Sequence, residues 1–476
     1  MKLSELLTSV QHRGKVTEDL DITGLAFNSS EVKPGYLFVA ITGTNTDGHL
    51  FIEDAITKGA AAIIGERDSE STIYPYFQVE NSRKALAHLA KAYYHNPASG
   101  KIFIGITGTN GKTTTSYMVK HILEAQGISC ALFGSIAVVI NGEEHPSPHT
   151  TLDPLTFHQF LAESDDQVVI MEVSSHGLIQ HRIEGLEFDV CIFTNIEHEH
   201  LDYHENMETY FEAKKSLFDF LKPNGTAVVH CMNDYGERLS TYVQSIGKKV
   251  IQIDGINPTY ILNGEELIER QNNHVLSYSL LTQMKGNHNI ENAANAFCAC
   301  RAIGIEPELI SVSLRTFSGL PGRYQLFKSP IGATFVVDYA HTANAFFHIL
   351  DTVRSQQPNN IIHIFGFRGN RDTGKRKNMV EMSLKYSDCC ILTFDDLNGV
   401  SYKAMIMELE ALGNHEKCII IPDRTMAIHY AWERAKENDW VVITGKGCET
   451  YQQEYSYPTK NDIETLRYLS KMKAYV

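Results

Sequence analysis

Short apolar runs recur along the chain and alternate with longer, more polar stretches. The runs predict buried strands and the stretches predict helices, an order that argues for parallel α/β architecture. In residues 1–99, PGYLFVAI (34–41) predicts a strand, and HLFIEDAITKGAAAIIG (49–65) a helix, a glycine turn and a strand. SRKALAHLAKAYYHNP (82–97) predicts an amphipathic helix stopped by Pro97, and NPASG (96–100) a linker. A second set of strands follows at 101–107, 128–134, 167–173, 188–196 and 226–231. There, IERQNNHVLSYSLL (268–281) predicts an antiparallel hairpin, and ENAANAFCACRAIG (291–304) a helix closed by Gly304. GLPGRYQ (319–325) marks another break. Beyond it lie strands at 333–340, 361–367, 388–395, 417–423 and 439–445. This last set is Rossmann-like but lacks GxGxxG after its first strand, so NAD is not implied.

Length agrees with that division. At about 150 residues per domain, 476 residues make roughly three domains, expected at 1–99, 100–324 and 325–476. The formal net charge of −15 disfavours general binding to nucleic acid or an anionic membrane. An anionic substrate must then meet a local basic site. Apolar runs such as AAAII (60–64) are too short to span a bilayer, and the N-terminus lacks the apolar core of a signal peptide. Nine cysteines without a CxxC pair argue for a reducing cytoplasm, with neither a disulfide scaffold nor a zinc site. A cytoplasmic, monomeric enzyme acting on small molecules is expected.

The strongest chemical signal is GITGTNGKTTT (105–115), an apolar strand running through a glycine-rich turn into a helix. The ordinary phosphate loop is GxxxxGK[ST]; here its first glycine position falls on Ile106. Gly108, Thr109, Asn110, Gly111 and Thr114 still frame a turn whose N–H groups can close on phosphate oxygens at a positive helix end. Lys112 adds a point charge for the β- and γ-phosphates, and the Thr113 hydroxyl can ligate Mg²⁺.

The variant TGTNGKT resembles the ATP loop of the Mur ligase family, and further motifs follow in that family's order. They are HTTLDPLTF (149–157), MEVSSHGLIQHRIEG (171–185), TNIEHEHLDYHENMETYFEAKKSLF (194–218), GNHNIENAANA (286–296), LPGRYQ (320–325), VVDYAHT (336–342), GNRDTGKR (369–376) and TGKGCETYQ (444–452). SSEVKPGYLFVAITGTNTDGH (29–49) resembles the family's uridine-binding domain. The likeness covers essentially the whole chain and is closest to the MurE branch. It implies a three-domain α/β fold with a P-loop-type central ATPase domain and a C-terminal Rossmann-like domain. It implies a ligase of peptidoglycan precursor synthesis, which activates the D-glutamate carboxylate of UDP-N-acetylmuramoyl-L-alanyl-D-glutamate as an acyl phosphate and joins it to an amine.

Residue by residue, the likeness assigns catalytic roles to Lys112, Glu172, His200 and Lys214. Thr113, Glu172, His200 and Lys214 would serve two Mg²⁺ sites. Glu172 ends a strand and is a hard oxygen ligand, although a surface-capping carboxylate is the alternative there. Glu199 stands where the family has Asp. His198 and His204 read as a solvated turn. Lys214 by itself reads as an exposed lysine on a charged helix. The match to YxxAKxxLF makes it the lysine that CO₂ carbamylates, turning an amine into an anion able to hold Mg²⁺. Asn289, Asn292, Arg323 and Asp338 would hold the nucleotide. Ser29, Thr150, Thr151, Ser174, Gln180 and Arg182 would hold the UDP-muramoyl dipeptide.

The incoming amine is expected to meet Arg371, Asp372, Asp395, Asp396, Asn398 and Glu449. Members using meso-diaminopimelate carry DNPR, whose Arg pairs with the distal carboxylate. This chain has DDLN (395–398), closer to the DDPN of lysine-adding members, and GKGCE in place of GKGHE. Asp395 and Asp396 suit a cationic side chain, so L-lysine is the expected acceptor. L-ornithine, meso-diaminopimelate or a paralogue's other acceptor are the alternatives.

Overall fold

The structure, a computed structural model, describes residues 1–43, 46–68, 74–271 and 274–472. Thr44 and Asn45 of the 29–49 motif, and residues 272–273 of the 268–281 segment, lie outside them.

Three sheets follow one another along the chain. The first is four-stranded and wholly parallel: Gly24–Ala26, Tyr36–Val39, Ala62–Gly65 and Tyr76–Gln78, in that order. The helix Ser82–Tyr93 covers it with Ala85, Leu86, Leu89 and Ala90. Asn81 starts that helix by accepting hydrogen bonds from Arg83 N and Lys84 N.

The second sheet has eleven strands. At its centre Ile102–Thr107 lies between Phe188–Phe193 and Val168–Glu172, with Leu221–His230 and Cys130–Phe133 outside these, all parallel. Both faces of these strands are buried, which explains why they read as apolar runs without alternation. Antiparallel hairpins extend both ends of the sheet, among them one expected and one not. The expected one pairs Glu266–Gln271 with His274–Ser279; the other, not expected, pairs Ala137–Ile140 with Glu143–Pro146. On one face the helices Lys112–Glu124 and Asn287–Ala302 pack together, the second through a seam of Ala293, Ala296, Ala299 and Phe297. Pro154–Ala162 and Met207–Lys215 cover the other face.

The third sheet runs Gln325–Lys328, Thr334–Val337, Trp440–Ile443, Ile361–Phe367, Cys389–Phe394 and Cys418–Ile420. The first strand, which falls at the break expected near 319–325, is antiparallel; the rest are parallel. Among the described residues no helix is long and apolar enough to cross a membrane.

Candidate active site

The carboxyl ends of the second and third sheets face a shared cavity of about 550 Å³. That is where parallel α/β sheets expose loops able to bind ligands. Thr107, Glu172 and Phe193 end strands of the second sheet; Val337, Phe367, Phe394 and Ile443 end strands of the third. The functional side chains sit on the loops that follow.

The glycine-rich turn leaves the Ile102–Thr107 strand and enters the helix at Lys112. Gly111 takes a left-handed φ of 84°, and a Cβ there would lie 2.2 Å from Asn292 Oδ1. Only glycine combines that backbone with so close a neighbour. Asn292 thereby braces the turn, and Thr115 Oγ1 donates to it at 3.3 Å. The Lys112 ammonium folds back to donate to the carbonyls of Gly108 (2.8 Å) and Thr109 (3.0 Å). Burial, offset by Glu172, holds its pKa below the ordinary lysine value. Asn110 donates to Glu197, and its own N–H donates to Asn195 (2.9 Å).

Glu172 is wholly buried, so it is no surface cap. It accepts from Thr113 Oγ1 at 2.9 Å, Ser135 Oγ at 3.0 Å and Ser135 N at 3.2 Å. Ser135 Oγ also lies 3.0 Å from Thr150 Oγ1 and was not legible as a site residue, because a lone serine after a strand carries no pattern.

Lys214 is 1% exposed, which removes the reading of a surface lysine. Its ammonium lies 4.4 Å from the centre of the Tyr210 ring and donates to Gly108 O at 2.8 Å. Burial, and then Lys112, push its pKa well below the ordinary value. Lys215, next in sequence, points elsewhere and pairs with Glu212. His200 adopts φ 58°, lies 5.0 Å from the His176 ring centre, and is held neutral by burial and His176, its pKa down to about 2. His204 is buried against Ser175 Oγ at 2.9 Å, so it is not part of a solvated turn.

The buried carboxylate beside a hydroxyl and the neutral imidazole are donors that fit the chemistry of magnesium. Among the described residues no three His, Cys, Asp or Glu side chains form a ready metal centre.

Thr151, Ser174, Gln180 and Arg182 form one hydrogen-bonded patch beside Thr150. Thr151 Oγ1 donates to Glu172 O at 2.9 Å and lies 3.1 Å from Ser174 Oγ. Arg182 donates to Thr151 O at 2.5 Å and to Gln180 Oε1 at 2.8 Å. All five line the cavity, as do Asn289, Asn292 and Arg323. Ser29 does not; itself buried, it opens a short, otherwise exposed turn between two strands of the first sheet, where its carbonyl accepts from Lys58 at 3.2 Å.

From the third sheet, Asp338 accepts from the N–H groups of Tyr324 and Ala340, both at 2.7 Å. Burial raises its pKa, with Arg323 opposing. Arg323 stacks on Tyr339 at 4.2 Å. Arg371 and Asp372 line the cavity; Asp372 also caps its own turn through Gly374 N at 2.8 Å. Lys375 crosses to Glu199 at 2.9 Å, and Asn344 donates to Glu197, tying the third sheet's loops to the second's.

The DDLN segment differs from expectation. Asp395 and Asp396 are 2% and 3% exposed, and Lys446, wholly buried, reaches both at 3.2 and 2.7 Å. Arg368 lies 3.5 Å from Asp395. An acidic pair already neutralised from within is not free to receive a cationic side chain. Asn398 donates to Gly369 O at 3.2 Å, which ties it to the neighbouring loop. Glu449 pairs with Arg368. Asp396, Asn398 and Glu449 are not among the cavity's lining residues. Arg368 lines it and was missed, because its partners lie far away in sequence.

Three family profiles match the chain: "Mur ligase family, catalytic domain" at residues 21–94, "Mur ligase middle domain" at 106–300 and "Mur ligase, glutamate ligase domain" at 322–447. Similar curated proteins include two UDP-N-acetylmuramoyl-L-alanyl-D-glutamate–2,6-diaminopimelate ligases. The one from Caldanaerobacter subterraneus subsp. tengcongensis is 34% identical over 466 residues, 95% of each chain. The one from Aquifex aeolicus is 36% identical over 440 residues, 91% of this chain and 90% of that one. A solved structure of a ligase bearing that same name aligns over 96% of both chains, with 27% identity and a TM-score of 0.66. The MurF ligase of Thermotoga maritima, solved with ADP, shares the fold at 21% identity and a TM-score of 0.62, over 88% of this chain and 93% of that one.

Proposed function

The chain belongs to the Mur ligase family, and from that premise we propose that it is an ATP-dependent ligase of peptidoglycan precursor synthesis. It joins UDP-N-acetylmuramoyl-L-alanyl-D-glutamate to a diamino acid bearing a distal carboxylate, of the 2,6-diaminopimelate class. The observation that carries this reading is one cavity lined by three kinds of loop. It holds the Lys112–Thr113 phosphate turn beside Glu172, the Thr151–Ser174–Arg182 patch, and the Arg371–Asp372 loop of the third sheet. Domains at 1–99, 100–324 and 325–476 would supply the uridine, ATP and amino-acid sites of a cytoplasmic monomer.

In the first step an oxygen of the D-glutamate γ-carboxylate attacks the γ-phosphorus of ATP, and ADP leaves. Lys112, held at the phosphate turn by the Gly108 and Thr109 carbonyls, stabilises charge on the transferring phosphoryl group. Asn289, Asn292, Arg323 and Asp338 hold the nucleotide. Thr150, Thr151, Ser174, Gln180 and Arg182 hold the dipeptide end of the substrate, and Ser29 its uridine end. In the second step the amine attacks the acyl carbon, loses a proton and expels inorganic phosphate. Arg371 and Asp372 bind the carboxylate and ammonium of the acceptor's reacting end. Mg²⁺ at two sites, held by Thr113, Glu172, His200 and carbamylated Lys214, would neutralise phosphate oxygens. A low-pKa, buried Lys214 supports carbamylation, since the neutral amine is the form that adds CO₂.

The preference for a diaminopimelate-class acceptor over L-lysine rests on two supports. The curated relatives carry that substrate in their names, and Lys446 occupies the acidic pair that lysine would need.

Phosphate release from ATP, with the UDP-muramoyl dipeptide and meso-diaminopimelate, L-lysine or L-ornithine in parallel, tests the proposal. Release is expected only when dipeptide and amine are both present, and to be greatest with meso-diaminopimelate. Substituting Lys112→Ala should abolish it; retained turnover would refute the role of that lysine. With ¹³C-bicarbonate, wild type should show a carbamate signal that Lys214→Met lacks.

A further inference from the structure

The chain has no arginine at the end of DDLN, where the family's resemblance would place one for a distal carboxylate. An arginine of the loop packed against that segment lines the cavity instead. Arg368 directly follows the strand Ile361–Phe367, and the loop it opens lies flat on residues 395–398. Gly369 N donates to Asp396 O at 2.9 Å, Asn398 Nδ2 to Gly369 O at 3.2 Å, and Asn370 Nδ2 to Asn398 O at 2.6 Å. A Cβ on Gly369 would lie 1.8 Å from Leu397 O, so the two loops meet backbone to backbone. The stacked loops set the guanidinium of Arg368 between Asp395 and Glu449, where it lines the cavity.

Its surroundings define what it can bind. Asp395 beneath it is already shared with Lys446. Its other carboxylate partner is Glu449, whose side chain is 38% exposed. The Tyr339 ring lies 6.0 Å from the guanidinium carbon and restrains it from one side. A half-open arginine paired with a half-open glutamate is the complement of a zwitterion. One ligand carrying both an ammonium and a carboxylate can replace each member of that pair with its own partner.

Resting on the diaminopimelate-class reading above, we propose that Arg368 binds the distal carboxylate of the incoming diamino acid, while Glu449 takes the distal ammonium. Arg368 thus replaces the missing arginine of the DDLN loop and sets acceptor specificity. The Arg368–Glu449 pair closes on itself when the site is empty and opens as the zwitterion enters.

L-lysine is the same diamino acid without the distal carboxylate, and 2-aminopimelate is the one without the distal amine. They serve as paired probes in amine-dependent phosphate release by the full-length enzyme. Arg368→Ala should raise KM for meso-diaminopimelate at least ~30-fold, the loss of a charged hydrogen-bonded pair, with kcat changed little. Its KM for L-lysine should stay within about threefold, which also reports an intact fold. Glu449→Gln should weaken meso-diaminopimelate and L-lysine but spare 2-aminopimelate. Arg368→Lys should fall between wild type and Arg368→Ala, because an ammonium cannot grip a carboxylate through two parallel bonds. If wild type turns over meso-diaminopimelate and Arg368→Ala keeps the same preference over lysine, the role of Arg368 is overturned alone. Equal losses for both amines overturn it too. Wild type that uses lysine but not meso-diaminopimelate, or no amine at all, overturns the acceptor reading and this inference together.

Discussion

At the scale of single residues, much of this site depends on charges hidden from water. Lys446 is shared between two buried carboxylates, and removing it would take the cation from Asp396 and leave Asp395 to Arg368. Lys446→Met should cost about 3–5 kcal/mol in urea unfolding, the usual penalty for breaking a buried pair. A loss below ~1 kcal/mol would show that water reaches Asp395. Burial would raise the Asp395 pKa, but Lys446 and then Arg368 hold it below the ordinary 3.8. That pairing therefore contributes its full stability above about pH 4 and loses it as acid titrates the folded carboxylate. His363 works over a higher range. It is buried, lies 2.9 Å from Ser383 Oγ and 3.0 Å from Thr444 Oγ1, and burial lowers its pKa from 6.5 to about 3. Between those values the unfolded chain binds a proton that the folded chain refuses. Stability should fall as pH drops from 6.5 towards 3, by at most ~1.4 kcal/mol per unit for this group. His363→Gln should flatten that slope in a pH series of denaturation curves; an unchanged slope would remove His363 from the account.

At the scale of elements, the turn between the Ile102–Thr107 strand and the helix Lys112–Glu124 is the critical joint. Gly111→Ala would demand a left-handed alanine and push its Cβ into Asn292. The expected result is a loss of ~1–3 kcal/mol, seen in thermal unfolding, and turnover down by at least ~100-fold because the phosphate-binding N–H groups shift. Near-normal turnover would mean that the turn tolerates a rearranged backbone. Elements such as this one were readable because their signals are contiguous: an apolar run, then glycines, then a helix start. The hairpin of Ala137–Ile140 and Glu143–Pro146 was not. Its second strand, EEHP, is polar and mostly exposed, and it sits at the sheet's edge, where neither face need be apolar. The Gln325–Lys328 strand, half exposed and antiparallel, escaped for the same reason.

For the whole molecule, the cavity exists because loops of two sheets are held against each other. Lys375 reaching Glu199, with Asn344 reaching Glu197, forms polar ties between them. Lys375→Met should lower thermal stability, by up to about 3 kcal/mol because Glu199 is buried, and loosen the arrangement. Small-angle scattering should show a larger radius of gyration without substrates, and KM for the acceptor should rise. An unchanged radius with unchanged KM would assign the contact no part in holding the halves together.

The sequence by itself determined the α/β class and most parallel strands, because burial on both faces writes itself as uninterrupted apolar runs. It also determined the phosphate turn and the order of motifs that led to the family, because each is a short contiguous string. Tertiary structure decided which charges are available. Lys214 reads as a surface lysine and is buried against Tyr210. Asp395 and Asp396 read as an open acidic pair and are consumed by Lys446, some fifty residues away. Arg368 meets Asp395 and Glu449 only because its loop stacks on residues 395–398. Charge pairing acts through space and desolvation, and neither leaves a periodic trace along the chain.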